Sequence, residues 1–167
     1  MKRSFGAALA LFAMPVILAG AAHAQSTTTP ANLGVSITIT DECSVGTIVP
    51  VAFGSTGAIS ANIDAEGSVD VTCTVDTDYE IALDAGDGAS ATVTERQMTG
   101  PNDVTITYSL YSDDQYETVW GETLEDNTVT GAGTGTAQTH TIYGRVPTQT
   151  TPAPGAYTDT VSVVVHY

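Results

Sequence analysis

The chain has 167 residues, the size of one ordinary domain with a leader, and sets 4 basic residues against 19 acidic ones for a formal charge of −15. Such a surface repels nucleic acid and anionic lipid, because binding either takes Lys and Arg to neutralise phosphates. Acidic chains can stay unfolded, but the alternating runs of Val, Ile, Tyr and Thr argue for a folded β domain over disorder.

Residues 1–24 read as a secretory signal peptide. Lys2 and Arg3 form a positive start, Ala7 to Ala19 is apolar, and Ala22-His23-Ala24 is a small-residue cleavage site. The alternative is a transmembrane anchor, but the apolar run is short for a span of about 20 residues. No cysteine follows it to carry a lipid, and no second apolar segment follows, so no membrane insertion is expected. Cleavage leaves 143 residues with no lysine and only Arg96 and Arg145 against all 19 acids, a formal charge of −17.

The mature chain then opens on "QSTTTPANLGVSITITDEC". Leu33, Val35, Ile37 and Ile39 alternate with Gly34, Ser36, Thr38 and Thr40, the period of a strand. That strand belongs either to its own domain or to another molecule. Cys43 and Cys73 are the two cysteines, and in an exported chain they are expected to pair. A cross-link across a loop of about 30 residues stabilises by roughly 3–4 kcal/mol in the chain-entropy picture.

Further strands follow in order. "GSVDVTCTV" puts Val69, Val71, Cys73 and Val75 on one face, "YEIALDA" does so with Tyr79, Ile81 and Leu83, and "DVTITYSLY" with Val104, Ile106, Tyr108 and Leu110. "TAQTHTIYGRV" has a mixed pattern. "AYTDTVSVVVHY" carries Tyr157, then Val161, Val163, Val165 and Tyr167. Shorter candidates are "SVGTIVPVAFG", "ATVTERQM" and "ETVWG". The stretches "GSTGAISANIDAEG", "DAGDGAS", "TGPND", "LEDNTVTGAGTGT" and "PTQTTPAPGA" read as turns or loops from their Gly, Pro, Asn and Asp. Many short strands separated by turn signals predict an all-β, immunoglobulin-like sandwich of about six strands. If the C-terminal strand is the sixth of that fold, the seventh is missing, and a groove of core side chains and unpaired backbone is left open.

Residues suited to chemistry are few. Asp64-x-Glu66, Asp113-Asp114, Glu125-Asp126 and the "DAGDG" turn are candidate calcium ligands, but none has the EF-hand spacing, and a solvated acidic surface is the simpler reading. There is no G-x-S-x-G elbow, His140 and His166 sit in strand-like runs, and "GAGTGT" precedes no helix. The chain is read as no enzyme, with no cofactor and no metal. Trp120, with Tyr111 and Tyr116 nearby, marks either a binding patch or a core position. Arg96 and Arg145 are expected to pair with local carboxylates.

The chain resembles the spore coat protein U domain, the fold of archaic chaperone–usher pilins. The matching stretches are "GSVDVTCT" (67–74), "IALDAG" (81–86), "RQM" (96–98), "YSLYSDD" (108–114), "VWG" (119–121), "GTGTAQTHTIYGRVP" (133–147) and "TPAPGAYTDTVSVVVHY" (151–167). The resemblance implies an incomplete immunoglobulin-like sandwich completed by a donor strand. It divides the chain into a donor segment, 25–41, and a pilin domain, 42–167. Leu33, Val35, Ile37 and Ile39 match the donor residues, Cys43 and Cys73 the disulfide, and Val161, Val163 and Val165 the last strand, which lines the acceptor groove. Implied partners are identical or related subunits, a periplasmic chaperone and an outer-membrane usher. The implied location is a pilus on the cell surface, and the implied role is attachment and biofilm formation. The chain departs from the pattern in the weakly hydrophobic segment 54–66 and in Gly34. A self-contained secreted binding domain or a coat protein is the alternative.

Overall fold

A computed structural model describes residues 25–167, so the leader at 1–24 lies outside the described residues. The chain divides into two units, 1–37 and 38–167. In the first, residues 25–37 form no strand, and Leu33, Val35 and Ile37 are 85–88% exposed.

The second unit holds eight strands: β1 Cys43–Val49, β2 Ile63–Cys73, β3 Asp78–Leu83, β4 Arg96–Thr99, β5 Thr105–Tyr111, β6 Val129–Ala132, β7 Gln138–Val146 and β8 Val163–His166. They make a five-stranded sheet in the order β1-β2-β7-β5-β4 and a three-stranded sheet in the order β6-β3-β8, with every pairing antiparallel. The all-β fold expected from the sequence is present.

Alternation explains the interior. Val69, Val71 and Cys73 of β2 face Tyr79, Ile81 and Leu83 of β3 within one buried cluster, joined by Tyr108 and Leu110 of β5 and Ile142 and Val146 of β7. The outward residues of β2, Asp64, Glu66, Asp70 and Thr72, are partly or fully exposed. The Cys43–Cys73 disulfide closes one end, where the two residues sit opposite each other in the β1–β2 ladder.

Two strands lie where the sequence reads as loop. Residues 63–66 belong to β2, because Asp64, Ala65 and Glu66 pair with Arg145, Gly144 and Tyr143 of β7. β6 falls inside "LEDNTVTGAGTGT". There Gly131 is a strand residue whose missing side chain makes room for the Tyr79 ring. Other expected strands shrink. "ATVTERQM" yields only Arg96–Thr99, "ETVWG" makes a single bridge between Val119 and Tyr111, and the last run is a strand only from Val163.

Trp120 is a core residue, 1% exposed, with its indole Nε1–H donating to the Ile81 carbonyl at 2.7 Å. Arg145 pairs with Asp64 through two bonds of 2.7 and 2.8 Å, and its guanidinium stacks on Tyr116. Arg96 does not pair with a carboxylate. It is fully buried and donates to the carbonyls of Leu83, Asp84, Val93 and Trp120 at 2.7–2.9 Å. A planar five-donor fork can serve several converging carbonyls at once, which is why an arginine fits there.

Candidate functional site

β1 ends one sheet and β8 ends the other, so each offers a backbone edge with no partner strand among the described residues. An apolar trench opens beside them. One part, about 360 Å³, is walled by Ile48–Val51 on the β1 side and by Thr158–Val161 and Val163 on the β8 side. Its floor includes Leu83, Tyr108, Leu110 and Ile142. A second part, about 860 Å³, continues past Ile59, Ile63, Ile106 and Val146 beneath the 151–157 segment. The two share Val51, Phe53, Met98 and Tyr157.

The β1 wall shows what is missing. Val45 and Ile48 stand opposite Val71 and Val69, both at 0% exposure, so they point toward the core. Yet they are 40% and 50% exposed. A strict period of two would place Thr47 inward. The bulge between Val45 and Ile48 inserts one residue and turns Ile48 inward instead, and Gly46 inside it is the sequence's only sign of the irregularity. From β8, Val163 and Val165 stand opposite the buried Leu83 and Ile81 and are themselves only partly covered. Val161 and Val163 line the first part of the trench; Val165 packs against the core and lines neither part.

The β8 wall is pinned. Asp159 accepts from the Tyr108 hydroxyl at 2.6 Å and from the amides of Asp87 and Thr160 at 2.8 and 2.9 Å. Burial foremost, and then this bond to a carboxylate, push the Tyr108 phenol well above its ordinary pKa. Asp84 accepts from the amides of Ser162 and Gly86, both at 2.9 Å. Burial works against its charge, but these bonds outweigh it and hold its pKa below the usual value. Thr99 and Thr158 exchange backbone bonds of 2.8 and 3.1 Å.

An apolar floor between two open strand edges suits an extended segment with alternating apolar side chains. The expected donor residues Leu33, Val35, Ile37 and Ile39 are 71–88% exposed and bonded into no strand of their own chain. The acidic residues have local uses. Asp113 takes the amides of Gln115, Glu117 and Thr118, which holds its pKa down, and Glu80 accepts from Thr128 and the Glu125 amide.

A family model described as the Spore Coat Protein U domain matches residues 29–164. The chain belongs to the Spore Coat Protein U domain family. The match spans both the exposed 33–39 run and the two walls of the trench. No curated protein matches this Spore Coat Protein U domain chain. Among solved structures it is similar to a chain in the crystal structure of the CsuC–CsuE chaperone-tip adhesion subunit pre-assembly complex from archaic chaperone-usher Csu pili of Acinetobacter baumannii. The TM-score is 0.56 and the identity 22%. The alignment covers 78% of this chain and 40% of that one, so this chain spans well under half the length of its structural relative. At that identity the likeness speaks for the fold.

Proposed function

We propose that this Spore Coat Protein U domain protein is a structural, non-enzymatic subunit of a chaperone–usher fibre. It polymerises by donor-strand complementation, with residues 25–41 as the donor segment and 42–167 as the acceptor domain. Leu33, Val35, Ile37 and Ile39 of one copy fill the trench of the next, between β1 and the wall that carries Val161 and Val163. The reading rests on one observation above all: Ile48, in the trench wall, stands opposite the sealed Val69 and is itself half exposed.

Magnitudes are consistent. Six residue steps from Leu33 to Ile39 reach roughly 20 Å at about 3.3 Å each. Burying four aliphatic side chains contributes on the order of 6–12 kcal/mol before ordering costs. An inserted strand also gives partners to the open backbone edges of β1 and β8. The solved relative comes from a chaperone–subunit complex of archaic chaperone-usher pili. That supports a chaperone as the first occupant of the trench; exchange at an outer-membrane usher, and a surface pilus serving attachment and biofilm formation, complete the proposal.

The test is a synthetic 31–40 peptide supplied to the exported, purified chain after refolding. Polymers should form without it, and stable peptide-bound monomers should replace them when it is in excess. A fully folded monomer indifferent to both the peptide and deletion of residues 25–40 would overturn the reading.

A further inference from the structure

We propose that the Thr74–Thr77 turn is a root clamp that holds the donor segment's exit and so directs the segment to a second copy instead of its own trench. This rests on the donor-strand reading above.

The clamp sits just before β1. The Thr74 amide donates to the Glu42 carbonyl at 2.9 Å, extending the β1–β2 ladder one residue past the disulfide. The Glu42 amide donates back to Thr74 Oγ1 at 3.2 Å. The single hydroxyl proton of Thr74 faces the carbonyls of Glu42 and Thr40 at 3.3 and 3.4 Å. Thr77, 5% exposed, donates from Oγ1 to Asp41 Oδ1 at 3.1 Å. Each of residues 40–42 is therefore tied to the turn.

The turn itself is braced. The Gly133 amide donates to the Thr77 carbonyl, the Asp76 amide to the Gly133 carbonyl, and the Gly135 amide to the Cys73 carbonyl, at 2.8–3.0 Å. A β-carbon at Gly133 would run into the Thr74 carbonyl, so the glycine lets the two loops close together.

For residues 33–39 to enter the trench beside their own β1, the chain must reverse within Thr40-Asp41-Glu42. Asp41 has the turn chemistry for such a reversal, so what opposes it is the set of bonds that holds residues 40–42 extended against the turn. Reversal would forfeit those bonds. Self-insertion competes with insertion into a neighbour for the same four side chains, so what the root loses decides between them. Thr74, Thr77 and Asp41 are thus positioning residues for assembly.

The experiment compares the exported chain with Asp41→Ala and Thr77→Val, refolded with and without the 31–40 peptide. Masses are read by light scattering, and protection of residues 25–40 by limited proteolysis. Both variants should shift the ratio of self-filled, protease-protected monomer to polymer upward, on the order of tenfold per lost bond. Thr77→Ser, which keeps the hydroxyl donor to Asp41, should behave as the parent chain. Asp41 is exposed, so its variant tests the clamp even if Thr77→Val folds poorly. Polymer fractions equal to the parent's overturn the clamp while leaving the donor reading intact. So does a parent chain that is itself a protected monomer. A parent that stays a folded monomer with an unprotected segment overturns both.

Discussion

Ile48 stands opposite Val69 in the β1–β2 ladder, yet Val69 is sealed from solvent and Ile48 is 50% exposed. Two core-facing neighbours differ so sharply because Val69 is enclosed in the core cluster and Ile48 lines the open trench. Full burial of such a side chain is worth about 1.5–3 kcal/mol, so roughly half of that remains for an incoming strand to realise. Ile48→Ala should weaken binding of the 31–40 peptide about five- to tenfold and lower the unfolding free energy of the peptide-free chain by about 1 kcal/mol. Titration calorimetry beside urea unfolding checks both. An unchanged affinity beside that stability loss would remove Ile48 from the surface the peptide covers.

The donor side makes the opposite prediction. Ile37 is 85% exposed and contributes little to its own chain. Ile37→Asp should leave the unfolding midpoint within about 0.5 kcal/mol of the parent. It should abolish polymers, because a carboxylate carried into an apolar trench costs several kcal/mol. Sedimentation of the refolded variant reads this out. Polymers of parental length would remove Ile37 from the donor set.

Arg96 governs stability. Its guanidinium satisfies carbonyls from three separate segments, at Leu83 and Asp84, at Val93, and at Trp120. Arg96→Met leaves those acceptors buried without a donor and should cost about 3–5 kcal/mol. Arg96→Lys should recover only part, since a point ammonium cannot span the fork. Urea unfolding at constant m measures both. A loss below 1 kcal/mol for the Met variant would mean that water replaces the guanidinium freely.

What the sequence shows of this molecule follows from period and chemistry. Val69, Val71 and Cys73, or Tyr79, Ile81 and Leu83, alternate without interruption and are buried on one face, but Val75, expected with the first set, lies past the end of β2 and is 59% exposed. The alternation of the 33–39 run and of Val161 and Val163 was legible for the same reason, while their pairing as donor and groove came from the family resemblance. Residues 63–66 and β6 were not. Asp64 and Glu66 look like loop until Arg145 and Tyr143 pair with them, and Gly131 looks like a turn until the Tyr79 ring lies against it. The inward turn of Ile48 was hidden by a bulge that only Gly46 marks, and Arg96 by carbonyls, which leave no mark in a sequence. Backbone partners decide all four cases, and they are set by tertiary pairing.

His140 should give the fold a pH dependence of its own. The Tyr79 hydroxyl and His140 Nε2 share a hydrogen bond of 2.9 Å, and burial lowers the imidazole pKa. Below the ordinary histidine value of about 6.5, the unfolded chain takes up a proton that the folded chain resists. Stability is therefore full above about pH 6.5 and falls as the pH drops through the lower folded value. Asp64, held down first by its Arg145 hydrogen bond, and Asp113, held down by backbone amides, lose their contributions only below about pH 4, so the two windows separate. Urea midpoints between pH 8 and pH 5 should decline for the parent chain. They should stay flat for His140→Asn, which offers Tyr79 an acceptor without titrating. Equal slopes for the two chains would assign the decline to another group.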